Sequence, residues 1–335
     1  MKNVLVILPL KDEHKQMLEE ISPDLHFYYT EGERAPIDKI AEANIIIGSV
    51  SPKVMHHIGS VSPKVMHHAC KLEFMQLSSA GSEGYTKPGV LRPGAILANA
   101  SGAYGPVISE HMLGMLLLLY GNLGIYIENM KRHLWEYEGD ARTISGSRTL
   151  VVGMGDIGSE FARKMSALGS TVVGIRRHNA AAKPDYTEAV YTMDALDEEL
   201  RRADIIACTL PGIPGTYHLF DEKRMHNIKR GAVLINVGRG SLISTEVLCK
   251  ALEDGTLGGA CLDVAEEEPL PSESPLWTAP NLIITPHISG ISHMEAVCEN
   301  VVQIAVKNLR AFCEGRPVMN EVDFETGYRK LENRV

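Results

Sequence analysis

Residues 149–158 read Thr-Leu-Val-Val-Gly-Met-Gly-Asp-Ile-Gly and set Gly153, Gly155 and Gly158 in the spacing G-x-G-x-x-G. That spacing serves the binding of a dinucleotide pyrophosphate, provided a strand precedes it and a helix follows. Both conditions hold. Residues 149–152 are a short apolar run, and Phe161, Met165 and Leu168 recur at helical spacing before Gly169, which is placed to end the helix. Gly153 permits the tight turn, Gly155 lets a phosphate approach the backbone, and Gly158 lets helix and strand pack closely. The N–H groups that open the helix then hold the phosphates. At the end of the second strand, where NAD-binding units usually carry an acid for the ribose 2′-OH, stand Arg176, Arg177 and His178. A carboxylate repels a 2′-phosphate, whereas guanidinium groups bind it with charge-assisted hydrogen bonds. The expected cofactor is therefore NADP in preference to NAD.

The elements that must position this motif follow from the apolar pattern. Strands are expected at 3–7, 27–29, 45–47, 72–77 and 95–98, and again at 171–175, 204–210, 232–237, 257–264 and 282–285. Helices fall at 12–21, 194–202, 221–227, 244–254 and 293–313, with Asp194 and Ser244 as N-caps. Strands alternating with helices imply parallel sheets. A chain of 335 residues is too long for one ordinary core. The expectation is an α/β protein of two Rossmann-like or flavodoxin-like parallel-sheet domains with a cleft between them: residues 1–101 plus 290–335 as the substrate domain, and 102–289 as the cofactor domain. A small-residue loop at 78–82 ends one strand, the place where open α/β sheets put ligands. Pro106 opens a long apolar helix over about 107–127, which suggests burial, in a subunit interface for instance.

Bulk composition excludes several classes. The net charge of −9 argues against nucleic acid as a partner. The longest apolar run, 112–120, is too short to span a bilayer. Residues 1–10 lead straight into a strand pattern with no signal peptide, and six scattered cysteines without a C-x-x-C pair point to reduced thiols, so the expected location is cytoplasmic. Residues 47–57 and 58–68 are an unbroken eleven-residue repeat. Its adjacent histidines, His56-His57 and His67-His68, point in different directions and do not make a metal site. One copy is expected to form the helix joining strands 45–47 and 72–77, and the other an exposed excursion.

Three more segments follow the glycine motif: Asn-Val-Gly-Arg-Gly at 236–240, Leu-Asp-Val-Ala-Glu-Glu-Glu-Pro at 262–269, and Thr-Pro-His-Ile-Ser-Gly at 285–290. Taken singly, Arg239 is a charge after a strand, His287 a loop histidine, and Glu266 to Glu268 a solvated acidic run. In this order and spacing the chain resembles the D-isomer-specific 2-hydroxyacid dehydrogenases, among them the glyoxylate/hydroxypyruvate reductases and phosphoglycerate dehydrogenases. The likeness runs from about Ile45 to about Asp323 and is strongest over 149–290.

The resemblance implies a catalytic trio of Arg239, Glu268 and His287. It also implies a carboxylate clamp made by the N–H groups of Ala80 and Gly81 together with Arg239, and a place for Asp263 near the nicotinamide amide. The cofactor set on this reading is Gly153, Gly155, Asp156, Ile157, Gly158, Arg176, Arg177, Leu210, Pro211, Val237 and Asp263, with no metal. The chemistry suits the residue types. Histidine donates a proton near neutral pH, glutamate orients the imidazole and favours its protonated form, and arginine offers a fork to a carboxylate. The implied reaction is hydride transfer between NAD(P)H and a small 2-oxoacid such as glyoxylate or hydroxypyruvate. The alternatives are phosphoglycerate or a branched 2-oxoacid. From another class comes a cofactor-sensing binding protein, since the C-terminal-binding transcriptional corepressors resemble the same family. The resemblance also implies a homodimer formed around 106–127. Trp135 stands where some relatives send a tryptophan into the partner's cleft, and local packing is the alternative.

Overall fold

The computed structural model describes residues 1–30, 35–48, 63–177, 183–290 and 295–330. The chain forms two compact units, Met1–Tyr104 with Ile291–Val335, and Gly105–Gly290. The first opens with β1 (Lys2–Val6), α1 (Asp12–Glu19), β2 (Leu25–Tyr29), α2 (Ile37–Glu42), β3 (Ile45–Ile47), a 3-10 turn (Pro63–His68), β4 (Phe74–Gln76) and β5 (Ile96–Ala98). Its sheet is parallel, in the order β2-β1-β3-β4-β5. Successive side chains on a strand point to opposite faces. Leu5, Ile46, Met75 and Leu97 enter one apolar layer, and Val4, Val6, Ile45, Ile47 and Phe74 the other. Burial on both faces explains why these strands read as unbroken apolar runs.

The second unit runs α3 (Gly105–Tyr120), α4 (Leu123–Lys131), β6 (Arg148–Val152), α5 (Asp156–Ala167), β7 (Thr171–Ile175), β8 (Ala189–Tyr191), α6 (Leu196–Leu200), β9 (Ile205–Cys208), α7 (Glu222–Met225), β10 (Ala232–Asn236), α8 (Thr245–Glu253), β11 (Leu257–Leu262) and β12 (Leu282–Ile284). Its sheet is parallel, in the order β12-β11-β10-β9-β6-β7-β8. The strand order reverses between β6 and β9, and a crevice at the carboxyl ends of such strands is where open α/β sheets bind ligands. The glycine turn follows β6, and Thr209 and Leu210 follow β9. The chain then returns to the first unit as α9 (Glu295–Cys313) and the hairpin β13 (Val322–Asp323) and β14 (Tyr328–Arg329). Val302, Ala305, Val306 and Leu309 of α9 join the Val4–Phe74 layer. The buried Asn308 donates to Gln76 Oε1 at 2.7 Å and to the Met319 carbonyl at 2.9 Å, tying the tail down.

Two expectations need correction, and one strand was not expected. The apolar stretch 107–127 is not one helix: α3 and α4 meet at a 68° bend. Asn122 sits there in the left-handed region at φ 54°, which ends one helix and starts another. Asp194 is not an N-cap; it lies inside a 3-10 turn preceded by Thr192, whose hydroxyl donates to it. β8 had no visible pattern, because it is a three-residue edge strand. Ser244 does cap α8, accepting from Val247 N at 3.3 Å.

Of the repeat, residues 49–62 lie outside the described residues, and with them His56 and His57. Residues 63–68 of the second copy supply the 3-10 turn before β4, seated by the buried Met66. Among the described residues no group of His, Cys, Asp and Glu is arranged to hold a metal. No single helix there is long and apolar enough to cross a membrane, although the bent pair α3 and α4 passes by length and composition alone.

Candidate active site

The glycine motif has the backbone its spacing requires. Gly153 takes φ +112°, a region nearly closed to residues with a Cβ. A Cβ on Gly158 would collide with the Gly153 carbonyl oxygen. Thr209 Oγ1 donates to that same carbonyl at 2.6 Å, so the turn is locked from the neighbouring strand end. α5 begins at Asp156 with Gly155 as N-cap, and the first-turn N–H groups of a helix lack intrahelical acceptors. Phe161, Ala162 and Met165 bury the opposite face of α5, each of the two large side chains worth about 1.5–3 kcal/mol. A close glycine turn ending on a helix N-terminus fits a pyrophosphate.

The cofactor-set residues take up distinct places. The Asp156 carboxylate accepts from Gly105 N at 2.9 Å and so closes the start of α3. Leu210 packs over the glycine turn, near where a Gly153 Cβ would stand. Val237, just after β10, is buried, and Pro211, three residues after β9, is half-buried. Arg176 directly follows β7 and is half-buried, its backbone N–H donating to Tyr191 O at 3.0 Å, and Arg177 beside it is exposed. His178 lies outside the described residues.

Arg239, Glu268 and His287 come from the loops that follow β10, β11 and β12, three neighbouring parallel strands. The Asn236 side chain shapes the first loop. It donates to Arg239 O at 2.9 Å and accepts from Gly238 N at 3.0 Å. The stem of Arg239 lies against Gly212, where an added Cβ would stand 3.0 Å from its Cγ. Its guanidinium donates to Gly238 O at 2.7 Å. Gly240 packs so tightly on the second loop that a Cβ there would overlap the Ala265 carbonyl.

In the third loop His287 takes φ +55°, a left-handed conformation that costs a non-glycine residue on the order of 1–3 kcal/mol. The conformation is held from both sides. His287 N donates to Thr285 O at 3.0 Å. The buried Asp263 carboxylate accepts from Thr285 Oγ1 at 2.6 Å, Ile288 N at 2.9 Å, Ser289 N at 3.0 Å and the Ser289 hydroxyl. Asp263, placed beside the nicotinamide by resemblance, is here the anchor of the turn that carries His287.

His287 Nδ1 lies 2.8 Å from Glu268 Oε2, and Glu268 Oε1 accepts from Ala265 N at 3.0 Å. Burial pushes the Glu268 carboxyl up. The His287 hydrogen bond and charge, the Ala265 amide and the Arg239 charge outweigh this and hold it below the usual glutamate range. An ionised carboxylate only accepts, so Nδ1 carries a proton, and Nε2 is the nitrogen left to exchange one. Glu266 faces elsewhere: it accepts from Thr245 N at 2.7 Å and pairs with His218 Nε2 at 2.8 Å. Hydrogen bonding thus separates Glu268 from Glu266 where charge alone could not. Sequence reasoning gave Asn236, Thr209 and Thr285 no role, although Asn236 and Thr285 open two of the motifs. Thr209 had no signal beyond a small polar residue after a buried strand.

In the first unit the loop after β4 is clamped by its carbonyls. Ala80 O accepts from Asn99 Nδ2 at 2.8 Å, Gly81 O from Ser79 Oγ at 2.8 Å, Ser79 O from Ala100 N at 2.9 Å, and Ser78 O from the Tyr104 hydroxyl. Among the described residues, the N–H groups of Ala80 and Gly81 donate to no protein acceptor.

Residues 113–289 match the family model of the D-isomer specific 2-hydroxyacid dehydrogenase NAD binding domain. The chain is 30% identical over 312 residues to glyoxylate/hydroxypyruvate reductase B of Pectobacterium carotovorum, covering 90% of this chain and 92% of the relative. A glyoxylate/hydroxypyruvate reductase of Arabidopsis thaliana is 29% identical over 259 residues, 76% of this chain and 77% of its own. A crystal structure of a D-isomer specific 2-hydroxyacid dehydrogenase family protein from Aeromonas salmonicida superposes with a TM-score of 0.82 at 33% identity, covering 96% of this chain and 99% of that one. The chain belongs to the D-isomer specific 2-hydroxyacid dehydrogenase family, and is an NAD(P)-dependent oxidoreductase that interconverts a 2-oxoacid and a D-2-hydroxyacid by hydride transfer.

Proposed function

We propose that the enzyme reduces a small 2-oxoacid of the glyoxylate or hydroxypyruvate kind, with NADPH preferred, and that Arg239, Glu268 and His287 carry the reaction. The observation that bears most weight is the 2.8 Å pair of His287 Nδ1 and Glu268 beside Arg239, on the loops after three adjacent strands. When bound, the nicotinamide supplies the hydride. His287, protonated on both ring nitrogens, gives the Nε2 proton to the keto oxygen, and the Glu268 carboxylate keeps the other proton on Nδ1, so the ring is left as the neutral Nδ1–H tautomer. Arg239 binds the substrate carboxylate through its fork of donors. The amides of Ala80 and Gly81, which donate to no protein acceptor among the described residues, suit a substrate carboxylate as well. The cofactor pyrophosphate is held by Gly153, Gly155 and the first-turn amides of Asp156, Ile157 and Gly158. Leu210, Pro211 and Val237 would also contact the cofactor, and Asp263 would act on the site through the 285–289 turn.

The preference for NADPH rests on Arg176 and Arg177 standing where an acid would read NADH. One charge-assisted contact of about 1.5–3 kcal/mol corresponds to roughly 10–150-fold in catalytic efficiency. A panel of 2-oxoacids assayed with NADPH and NADH tests both parts, with Arg176→Asp expected to erase or reverse the cofactor ratio. Equal efficiency with the two cofactors in the unaltered enzyme removes the arginine assignment. No turnover of glyoxylate or hydroxypyruvate beside rapid turnover of a branched or phosphorylated acid removes the substrate assignment.

The assembly we infer is a homodimer. Leu117, Leu123, Ile125, Ile127 and Met130 of α3 and α4 are exposed, and Trp135 is wholly so, an apolar surface of the kind a partner covers. Trp135 does not pack locally, which favours its contacting the partner subunit. A stable monomer in sedimentation at micromolar concentration overturns this. The six cysteines are free, in keeping with the cytoplasm, and the acidic chain is read as having neither nucleic acid nor membrane as a partner.

A further inference from the structure

The inward face of α3 is mostly apolar, with Ile108, Met112, Met115 and Leu116 buried; its polar members are Ser109, which accepts from Lys164 Nζ at 2.7 Å, and His111. His111 follows Ile108 by three residues and precedes Met115 by four, so it shares their face. Its Nε2 lies 3.0 Å from Thr285 Oγ1 and 3.9 Å from Asp263 Oδ1. Thr285 Oγ1 in turn lies 2.6 Å from Asp263 Oδ1. The direction of these bonds follows from the proton count. A threonine hydroxyl has one proton and a carboxylate only accepts. Thr285 therefore donates to Asp263 and accepts from His111, which must carry its proton on Nε2. Asp263 spends its remaining acceptor capacity on Ile288 N, Ser289 N and the Ser289 hydroxyl, the residues that immediately follow His287.

The same helix is anchored at its other end to the glycine turn, through Gly105 N and the Asp156 carboxylate at 2.9 Å. α3 thus holds fixed points at the pyrophosphate turn and at the catalytic turn. A histidine serving only to fill space would be served as well by another leucine in this apolar row. What His111 adds is a donor aimed at Thr285.

We propose that His111 is a positioning residue for the reaction: through Thr285 and Asp263 it holds the left-handed turn that sets His287 against Glu268. This rests on the reading of His287 as the proton donor.

The experiment compares His111→Leu, His111→Gln, Thr285→Val, the Leu/Val double variant and His287→Ala, using glyoxylate and NADPH, with hydrogen–deuterium exchange of the peptide spanning 282–290 read in parallel. Removing the donor should lower kcat about 10–100-fold, the usual scale for a partner behind a reacting group, leave the NADPH KM within about threefold, and speed exchange of the 288 and 289 amides. His111→Gln restores an N–H at a similar reach and should recover kcat to within about threefold of the unaltered enzyme. Because His111 and Thr285 act through one chain, the double variant should be no slower than the slower single one. His111→Leu with unchanged kcat and unchanged exchange, in a series where His287→Ala is inactive, overturns the role of His111 alone. So does a Gln variant no better than Leu, or falls that multiply in the double variant. Near-normal turnover by His287→Ala overturns the underlying reading instead. If His111→Leu does not fold, Thr285→Val and His111→Gln still decide, since both keep the volume of the site.

Discussion

Two histidine–glutamate pairs stand side by side in the second unit, and they are nearly the same object. Glu268 lies 2.8 Å from His287 and Glu266 lies 2.8 Å from His218. The side-chain exposures are 33% and 25% for the first pair and 34% and 32% for the second. Both histidines take left-handed backbone, at φ 55° and 45°. The neighbours differ. Glu268 takes an amide of its own loop and feels the Arg239 charge. Glu266 takes the first amide of α8, and His218 stacks on Tyr217 with centroids 4.0 Å apart. One pair sits beside a cation suited to a substrate carboxylate, whereas the other staples a helix start to a loop. A histidine–glutamate hydrogen bond is therefore not in itself a catalytic signature; what stands next to it decides.

The largest expected effect separates the two pairs outright. His287→Ala should lower turnover by about 10²–10⁴, the range for general acid–base work, with NADPH binding retained. His218→Ala should leave turnover within about twofold, the size of an ordinary surface change. Steady-state kinetics on both variants, with cofactor affinity from nicotinamide fluorescence, checks this. Equal losses in the two would mean that neighbours do not distinguish the pairs.

The glutamates should differ less, and in different quantities. Glu268→Gln keeps an acceptor for Nδ1–H but loses the charge, so kcat should fall about 10–100-fold with little change in unfolding midpoint. Glu266→Gln should leave kcat near normal. It should instead cost stability on the order of 1 kcal/mol, the usual size of a lost helix N-terminal contact. Urea unfolding and kcat on both proteins give a crossed pattern, and any uncrossed pattern contradicts the assignment.

Much of this site was legible in the residues. The glycine spacing, the strand before it and the apolar helix after it are local, and local patterns survive folding. Arg239 and His287 were legible because four segments came in family order. Other features are set by contacts between distant residues and leave no local trace. Asp263 reads like a residue beside the cofactor, yet its oxygens hold a turn more than twenty positions away. His111 lies in a mainly apolar helix beside Ser109 and Glu110, and its partner is Thr285. The bend after α3 is carried by Gly121 and Asn122 inside an otherwise unbroken apolar pattern, too slight a signal to outweigh it. Glu268 and Glu266 have the same charge and nearly the same position, and only hydrogen-bond partners separate them.

The smallest effect is also the sharpest test of the comparison, because it asks which neighbour keeps each carboxylate charged. Burial opposes ionisation at both, and both are nonetheless held below the usual glutamate range. At Glu268 the His287 hydrogen bond leads the groups that reverse the effect of burial, whereas at Glu266 the Thr245 amide leads and His218 follows. A carboxyl whose folded pKa is lowered adds stability that is fully present above the unfolded value of about 4.3. That stability is lost as pH falls through the lowered folded value, since the unfolded chain binds the proton first. The stability difference between the unaltered enzyme and Glu268→Gln should therefore shrink between pH 6 and pH 3, as should that for Glu266→Gln. Adding His287→Ala to the first comparison should remove most of its pH dependence, because the leading partner is gone. Adding His218→Ala to the second should remove only part, because the Thr245 amide remains. Urea midpoints across that range decide the matter. If the two histidine deletions have the same effect, the pairs are held by the same forces and the distinction drawn between them fails.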